Sequence, residues 1–193
     1  MNADPDREVD PNGSLRRVLL VGFMGSGKSS VGKALAEVLG WRFVDFDDAV
    51  AEEEGCSVPE IFRTLGEAHF REVEGRVGRR LLEEDRVVLA SGGGWAATPG
   101  RLDEVPPGTE TFWLRVSTDE ALRRVSSEPG RRPMLDARDA EREAARLLAK
   151  REPRYARAAS VVDTNGRSVE DVTAGVLAVL RQKYPAVPRT EAE

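Results

Sequence analysis

An eight-residue stretch near the start of the chain, GFMGSGKS at Gly22–Ser29, restricts the possible folds more than any other feature. It follows a short apolar run, RVLLV, and it opens a segment with helical apolar periodicity that extends to Leu39. Between a buried strand and a helix, the pattern G-x-x-x-x-G-K-S/T wraps backbone amides around phosphate oxygens, and the helix N-terminus adds positive potential. An ordinary glycine-rich turn is the alternative, but both flanks favour a nucleoside triphosphate site.

Individual residues of this loop have predicted roles. Lys28 is placed to reach the β- and γ-phosphates, and the Ser29 hydroxyl to ligate Mg²⁺. The remaining predicted nucleotide contacts are Gly25, Ser26, Gly27 and Ser30. P-loop proteins usually hold the metal with an acid at the end of a neighbouring strand. Because the run VVLASGGG supplies Ser91 instead of an acid, Asp45 at the end of RFVD is the predicted metal-associated residue.

Strands and helices alternate after the phosphate loop. Strands are predicted at residues 17–21, 41–46, 87–94, 110–116 and 160–164. Helices are predicted at 28–39, 58–65, 67–83, 118–125 and 168–183. A further helix is predicted to begin at residue 99, and another to end at about residue 157. Since strand–helix–strand units build parallel sheets, the sequence predicts the α/β class, as a three-layer α/β/α fold with a five-stranded parallel sheet of the P-loop NTPase type.

The whole pattern fits a single domain at 15–184, because 193 residues are too few for two ordinary domains and a linker. The stretch SSEPGRRPMLDARD, residues 126–139, is rich in Gly, Pro and charge, and it is predicted to be a mobile lid. The polar ends at 1–14 and 185–193 are predicted to be disordered.

Composition excludes several classes of protein. A net charge of −5 argues against a general nucleic-acid binder, which needs a basic face. No apolar run approaches the roughly 20 residues that span a bilayer, and no signal-peptide pattern is present, so we expect no membrane association and a cytoplasmic location. With a single cysteine, Cys56, and a single histidine, His69, a metal would need oxygen ligands. A monomer is the expected state.

The chain also lacks the guanine-reading N-K-x-D pattern of GTPases and a recognisable water-positioning switch. Phosphoryl transfer to a small acceptor is therefore the predicted activity. An arginine-rich lid would suit it, because the lid would exclude water and stabilise charge on the transferring group.

Four segments resemble one family in their order and spacing. These are GFMGSGKSSVG, the acids Asp45 and Asp47, IFRTLGEAHFREVE and SGGG. The similarity continues through RRPML in the predicted lid and LLAKREPRY before the last strand, so it covers 17–182. Together the segments resemble shikimate kinase. The resemblance implies ATP- and Mg²⁺-dependent phosphorylation of the 3-hydroxyl of shikimate, on the route to chorismate and the aromatic amino acids, by a nucleoside-monophosphate-kinase-like fold.

On the acceptor side, the resemblance implies that Asp47 binds the shikimate hydroxyls and helps to deprotonate the nucleophile. Arg71 and Arg151 match the arginines that hold the carboxylate, and Glu74 matches an acid that orients the arginine and the hydroxyls. The backbone that packs against shikimate corresponds to Gly92, Gly93 and Gly94. These residue types suit the ligand, because guanidinium forks fit a carboxylate and carboxylates accept from hydroxyls.

On the nucleotide side, Arg132 matches a lid arginine that reaches the phosphates and the substrate, while Arg124 and Arg167 match positions that line the adenine. Trp95 departs from the pattern, since it puts an indole directly after the glycine triplet. If it pointed into the pocket, acceptor specificity would change. The alternatives are another small-molecule P-loop kinase, acting on gluconate or a nucleoside monophosphate, and a nucleotide-binding module without catalysis.

Overall fold

The computed structural model describes residues 14–126 and 137–187. A single parallel sheet has the strand order β2-β3-β1-β4-β5. Its strands are β1 (Arg17–Val21), β2 (Arg42–Asp45), β3 (Val87–Ala90), β4 (Thr109–Arg115) and β5 (Ser160–Asp163). The helices in the described residues are α1 (Lys28–Leu39), α2 (Phe46–Glu54), α3 (Val58–Thr64), α4 (Gly66–Leu81), α5 (Thr118–Ser126), α6 (Ala137–Tyr155) and α7 (Val169–Lys183).

Each face of the sheet is covered by its own hydrophobic core. Alternate residues of β1 point to opposite faces, so that Leu19 and Val21 enter one core while Val18 and Leu20 enter the other. Helices α1 and α7 supply the core on the Val18 side, and α2, α4 and part of α6 supply the core on the Leu19 side. The predicted three-layer α/β/α architecture with a five-stranded parallel sheet is therefore confirmed.

The second strand is shorter than predicted, because β2 ends at Asp45 and Phe46 already begins α2. The Asp45 side chain accepts a hydrogen bond of 3.0 Å from the backbone N–H of Asp47 and so caps this helix. The sequence does not predict α2, since the strand and the helix join without a linker.

The helix predicted from residue 99 is wrong, because residues 93–104 form successive turns. The amide of Trp95 bonds to the carbonyl of Gly92, that of Thr98 to Trp95, and that of Arg101 to Thr98, at 3.1, 3.1 and 3.4 Å. Gly100 then has a φ of +83°, a left-handed conformation that a right-handed helix cannot continue through.

Trp95 points into the protein. Its indole is 2% exposed and meets the ring of Phe46 edge-on, with ring centroids 5.3 Å apart. A Cβ on Gly78 of α4 would lie 2.5 Å from the indole nitrogen, so this glycine makes room for the ring. Trp95 is thus part of the core on the Leu19 side of the sheet and does not line the basic cavity between α4 and α6 that is described below.

The predicted lid at 126–139 falls mostly outside the described residues, and so does its arginine, Arg132. Ser126 closes α5, and α6 begins at Ala137. The packed chain continues beyond the predicted domain end at residue 184, because Val187 is only 8% exposed and joins the core on the α7 side. Residues 1–13 and 188–193 lie outside the described part.

The C-terminal end of α7 is tied to the sheet by a buried carboxylate. Glu110 of β4 is 4% exposed and accepts hydrogen bonds from Ser160 Oγ, Lys183 Nζ and Tyr184 Oη at 3.2, 2.5 and 2.9 Å. Burial and the Glu110 carboxylate raise the pKa of Tyr184 to about 12, so its hydroxyl stays protonated and donates.

Replacing Glu110 with Ala is expected to lower the free energy of unfolding by about 2 kcal/mol, because Lys183 and Tyr184 lose their shared acceptor. Urea unfolding followed by circular dichroism measures the loss. Glu143→Ala is the matched control, since it removes an exposed partner of Arg146 and should cost less than about 0.5 kcal/mol. Equal losses in the two variants would contradict the assignment.

Candidate active site

Three neighbouring strands end at the same edge of the sheet and bring the predicted site residues together. The phosphate loop follows β1, Asp45 ends β2, and the glycine triplet follows β3. Because the strand order is β2-β3-β1, the triplet lies between the loop and the acids. The carboxyl edge of a parallel sheet is where α/β proteins bind ligands.

The phosphate loop is closed around the Lys28 side chain. Its Nζ donates to the carbonyl oxygens of Gly22 and Phe23 at 3.1 and 2.9 Å. A Cβ on Gly25, where φ is +69°, would lie 2.6 Å from the carbonyl oxygen of Ala121, so both conformation and space require glycine there. Burial of the ammonium lowers the pKa of Lys28 to about 8, although Asp45 and Asp47 act in the opposite direction.

The two residues predicted to bind the metal are in direct contact. Ser29 Oγ donates to Asp45 Oδ2 at 2.6 Å, while Asp45 Oδ1 caps α2. This pair of oxygen ligands beside the phosphate loop fits Mg²⁺, which prefers carboxylate, hydroxyl and phosphate oxygens with several waters. Within the described residues there is no cluster of three or more His, Cys, Asp or Glu side chains that would form an all-protein metal site.

Two carboxylates meet beside the first glycine of the triplet. A Cβ on Gly92 would collide with Glu74 Oε1 and would lie 2.8 Å from Asp47 Oδ1, so both acids lie against this glycine. Glu74 is 1% exposed, and its Oε2 accepts from Arg71 Nη1 at 2.8 Å. Its Oε1 has no hydrogen-bond partner within the described residues. The Arg71–Glu74 contact is therefore not a pair on the open surface, and the buried Glu74 oxygen is available to a ligand hydroxyl.

Both acids titrate at higher pH than exposed carboxyl groups do. Burial, reinforced by the negative charge of Asp45, raises the pKa of Asp47. Burial also raises the pKa of Glu74, although the hydrogen bond from Arg71 opposes the shift. Desolvated carboxylates of this kind bind hydroxyl donors strongly because water does not compete.

The other two glycines of the triplet contact cationic side chains. A Cβ on Gly94 would collide with the Arg71 guanidinium, and one on Gly93 would lie 3.4 Å from Arg151 Nη1. Tyr155, which is fully buried at the end of α6, donates from its hydroxyl to the Gly93 carbonyl oxygen at 2.6 Å. Tyr155 was not predicted as a site residue. Its position on the same helix as Arg151, four residues later, is the only signal for it.

A cavity of about 400 Å³ lies between α4, the turns after β3, and α6. Its charged lining consists of Glu67, Arg71, Lys150, Arg151 and Arg154. Its neutral lining consists of Gly94, Ala97, Thr98, Pro99 and Leu147. Four cations against one acid in a cavity of this size suit a small anionic ligand.

The two arginines predicted to line the adenine meet at the end of β5. Arg124 donates to the carbonyl oxygens of Gly25 and Thr164, so it joins the phosphate loop to this strand end. Arg167 donates to the preceding carbonyl, that of Asp163, at 3.3 Å. The two side chains thus bond to successive carbonyl oxygens at the end of β5, and their contact with adenine stays a prediction.

The phosphate loop, the Ser29–Asp45 pair and the basic cavity place the chain in the class of P-loop proteins with sites suited to a nucleotide and a small anion. Comparison with known proteins narrows this class. A family model for shikimate kinase matches residues 24–181. The chain belongs to the shikimate kinase family, which confirms the predicted resemblance.

Individual relatives match over nearly the whole chain. A shikimate kinase from Synechococcus sp. (strain RCC307) is 38% identical over 191 residues, which cover 98% of this chain and 97% of the relative. One from Geobacter metallireducens is 42% identical over 167 residues, 86% of this chain and 93% of the relative. The solved structure of shikimate kinase from Acinetobacter baumannii in complex with shikimate is 30% identical, has a TM-score of 0.78, and aligns over 88% of this chain and 95% of that one.

Nucleotide affinity is expected to fall as the pH rises through about 8, because Lys28 loses its charge there in the free protein. Phosphate oxygens favour the charged form, so binding takes up a proton, and Kd for ATP should increase by up to about tenfold per pH unit above this point. Calorimetric titration at pH 7, 8 and 9, each in two buffers of different ionisation enthalpy, measures both effects. A Kd that stays constant from pH 7 to 9 would contradict the lowered pKa of Lys28.

Proposed function

We propose that this protein transfers the γ-phosphoryl group of ATP to the 3-hydroxyl of shikimate and forms shikimate 3-phosphate and ADP. The observation that carries the proposal is the meeting of Glu74, Asp47 and Arg71 against the glycine triplet, at the same sheet edge as the phosphate loop. The family membership supports the same reaction.

On the donor side, the loop amides and Lys28 would bind the phosphates of ATP, and Ser29 and Asp45 would hold Mg²⁺. The ion, when bound, neutralises charge on the β- and γ-phosphates. Arg124 and Arg167 would border the adenine, and Arg132 would reach the γ-phosphoryl group. A cytoplasmic location and a monomeric state remain predictions. Within the described residues, no helix is both long and apolar enough to cross a membrane.

On the acceptor side, Arg71 and Arg151 would hold the carboxylate of shikimate, and Asp47 and Glu74 would accept hydrogen bonds from its hydroxyls. In the transfer step the hydroxyl oxygen would bond to the γ-phosphorus, the bond from phosphorus to the ADP oxygen would break, and the hydroxyl proton would pass to the Asp47 carboxylate. Because the transition state of phosphoryl transfer is loose, the hydroxyl needs little prior deprotonation. Asp47 therefore acts first as a positioning group and second as a base.

The alternative acceptors, gluconate and a nucleoside monophosphate, are not favoured, because the relatives that match nearly the whole chain are shikimate kinases. A nucleotide-binding module without catalysis is disfavoured by the intact contacts of Lys28 and of the Ser29–Asp45 pair.

The direct test is ADP release from ATP and Mg²⁺ in the presence of shikimate, gluconate, AMP, CMP or no acceptor. We expect release to be stimulated by shikimate alone. Stimulation by another acceptor with no response to shikimate would overturn the proposal, and ATP binding without turnover for any acceptor would support the non-catalytic module.

The acid limb of the pH profile tests the two carboxylates. We expect kcat/KM for shikimate to fall as the pH drops through the raised pKa values of Asp47 and Glu74, since a protonated acid accepts hydroxyl hydrogen bonds poorly. Glu74→Gln should lower kcat/KM about tenfold at pH 7.5. It should also move the acid limb to lower pH, because a negative charge near Asp47 is gone.

Glu67→Gln is the matched control for this experiment. Glu67 also approaches Arg71, at 3.3 Å, but its side chain is 68% exposed. We expect its loss to leave the position of the acid limb unchanged, because Glu67 is not among the charges that act on Asp47. An identical shift of the limb in the two variants would argue against a specific role for Glu74.

A further inference from the structure

One face of α6 presents several basic side chains to the cavity, and the proposed reaction assigns a role to only one of them. Leu147, Lys150, Arg151 and Arg154 have the spacing i, i+3, i+4, i+7 of a single helical stripe, and all four line the cavity. Arg151 is assigned to the acceptor carboxylate. Arg154 lies one turn further along the same stripe and has no role so far.

The Arg154 side chain is half-buried, yet it has no hydrogen-bonded or ion-paired partner within the described residues. Nearby arginines do have partners. Arg146 pairs with Glu143 at 3.0 Å, and Arg157 pairs with Asp103. A guanidinium that is partly desolvated in a cavity and lacks a carboxylate is costly unless an anion binds there.

Arg71, in contrast, is already engaged. Its Nη1 donates to Glu74 at 2.8 Å, and its Nε and Nη2 point to Glu67 at 3.4 and 3.3 Å. A ligand carboxylate can accept about four hydrogen bonds from its two oxygens. Three of the five N–H groups of Arg71 are therefore used, and the two that remain leave room on the ligand carboxylate for further donors from the α6 side.

We propose that Arg154 is a specificity-determining residue that donates, together with Arg151, to the carboxylate of the acceptor. The inference rests on the proposed function, since it assigns a further donor to the same acceptor site. It predicts that selection for an acidic acceptor depends on the face of α6 as well as on Arg71. Lys150, an exposed residue on the same stripe, adds positive potential at the cavity mouth.

The test compares Arg154→Gln with Arg146→Gln, which removes the same charge from the same helix but outside the cavity lining. Steady-state kinetics are measured with shikimate and with its uncharged methyl ester. We expect Arg154→Gln to raise KM for shikimate about tenfold, the loss typical of a charge-assisted hydrogen bond, with kcat and KM for ATP within about twofold of wild type. For the ester, the two variants and the wild type should agree within about twofold.

Equal kinetics of Arg154→Gln and Arg146→Gln with shikimate, or an equal loss by Arg154→Gln with acid and ester, would overturn the inference while leaving the proposed function intact. A wild-type protein that does not phosphorylate shikimate would overturn both. Thermal unfolding checks each variant. If Arg154→Gln does not fold, Arg154→Lys decides the question, because it keeps the charge and loses the fork, and it should still raise KM for the acid and not for the ester.

Discussion

The shared edge of three parallel strands is the constraint on which the rest of this site depends. Hydrogen bonding in the order β2-β3-β1 forces the ends of these strands side by side, so that residues far apart in the chain become neighbours. The ends of these strands carry the phosphate loop, the Asp45 carboxylate and the glycine triplet. Helices α4 and α6 place charged side chains next to this edge. The position of the sheet therefore determines where these charges lie close together.

The charges are arranged at some cost to stability. Glu74 is almost completely buried, satisfied on one oxygen by Arg71 and on the other by nothing within the described residues. A buried ion pair of this kind rarely adds net stability, because desolvation offsets most of the attraction. Glu110 is also buried, but it lies far from the site and its oxygens accept hydrogen bonds from three donors. The unpaired oxygen of Glu74 is therefore explained by a role in ligand binding and not by a structural role.

Local signals predicted the features that depend on local sequence. The glycine pattern and the apolar runs identify the phosphate loop and all five strands, and Asp45 follows from the absence of an acid after β3. Features that depend on distant contacts were not predictable. The burial of Glu74 requires α4 to pack beneath the triplet, the direction of Trp95 depends on space left at Gly78, and Tyr155 meets Gly93 across 62 positions of the chain. Helix α2 was not predicted because no turn residues separate it from β2.

The hydrogen bond from Tyr155 to Gly93 has a consequence for how such a site can diverge. The Gly93 peptide is held by α6 on one side, and a Cβ there would lie 3.6 Å from the carbonyl oxygen of Gly22 in the phosphate loop on the other. In the proposed function, this one peptide unit would separate the ATP side of the site from the shikimate side. A change of sequence there would alter both sides together, whereas changes along the α6 stripe would alter the shikimate side alone. New acceptor preferences would therefore arise most readily on the helix, with the glycine triplet unchanged.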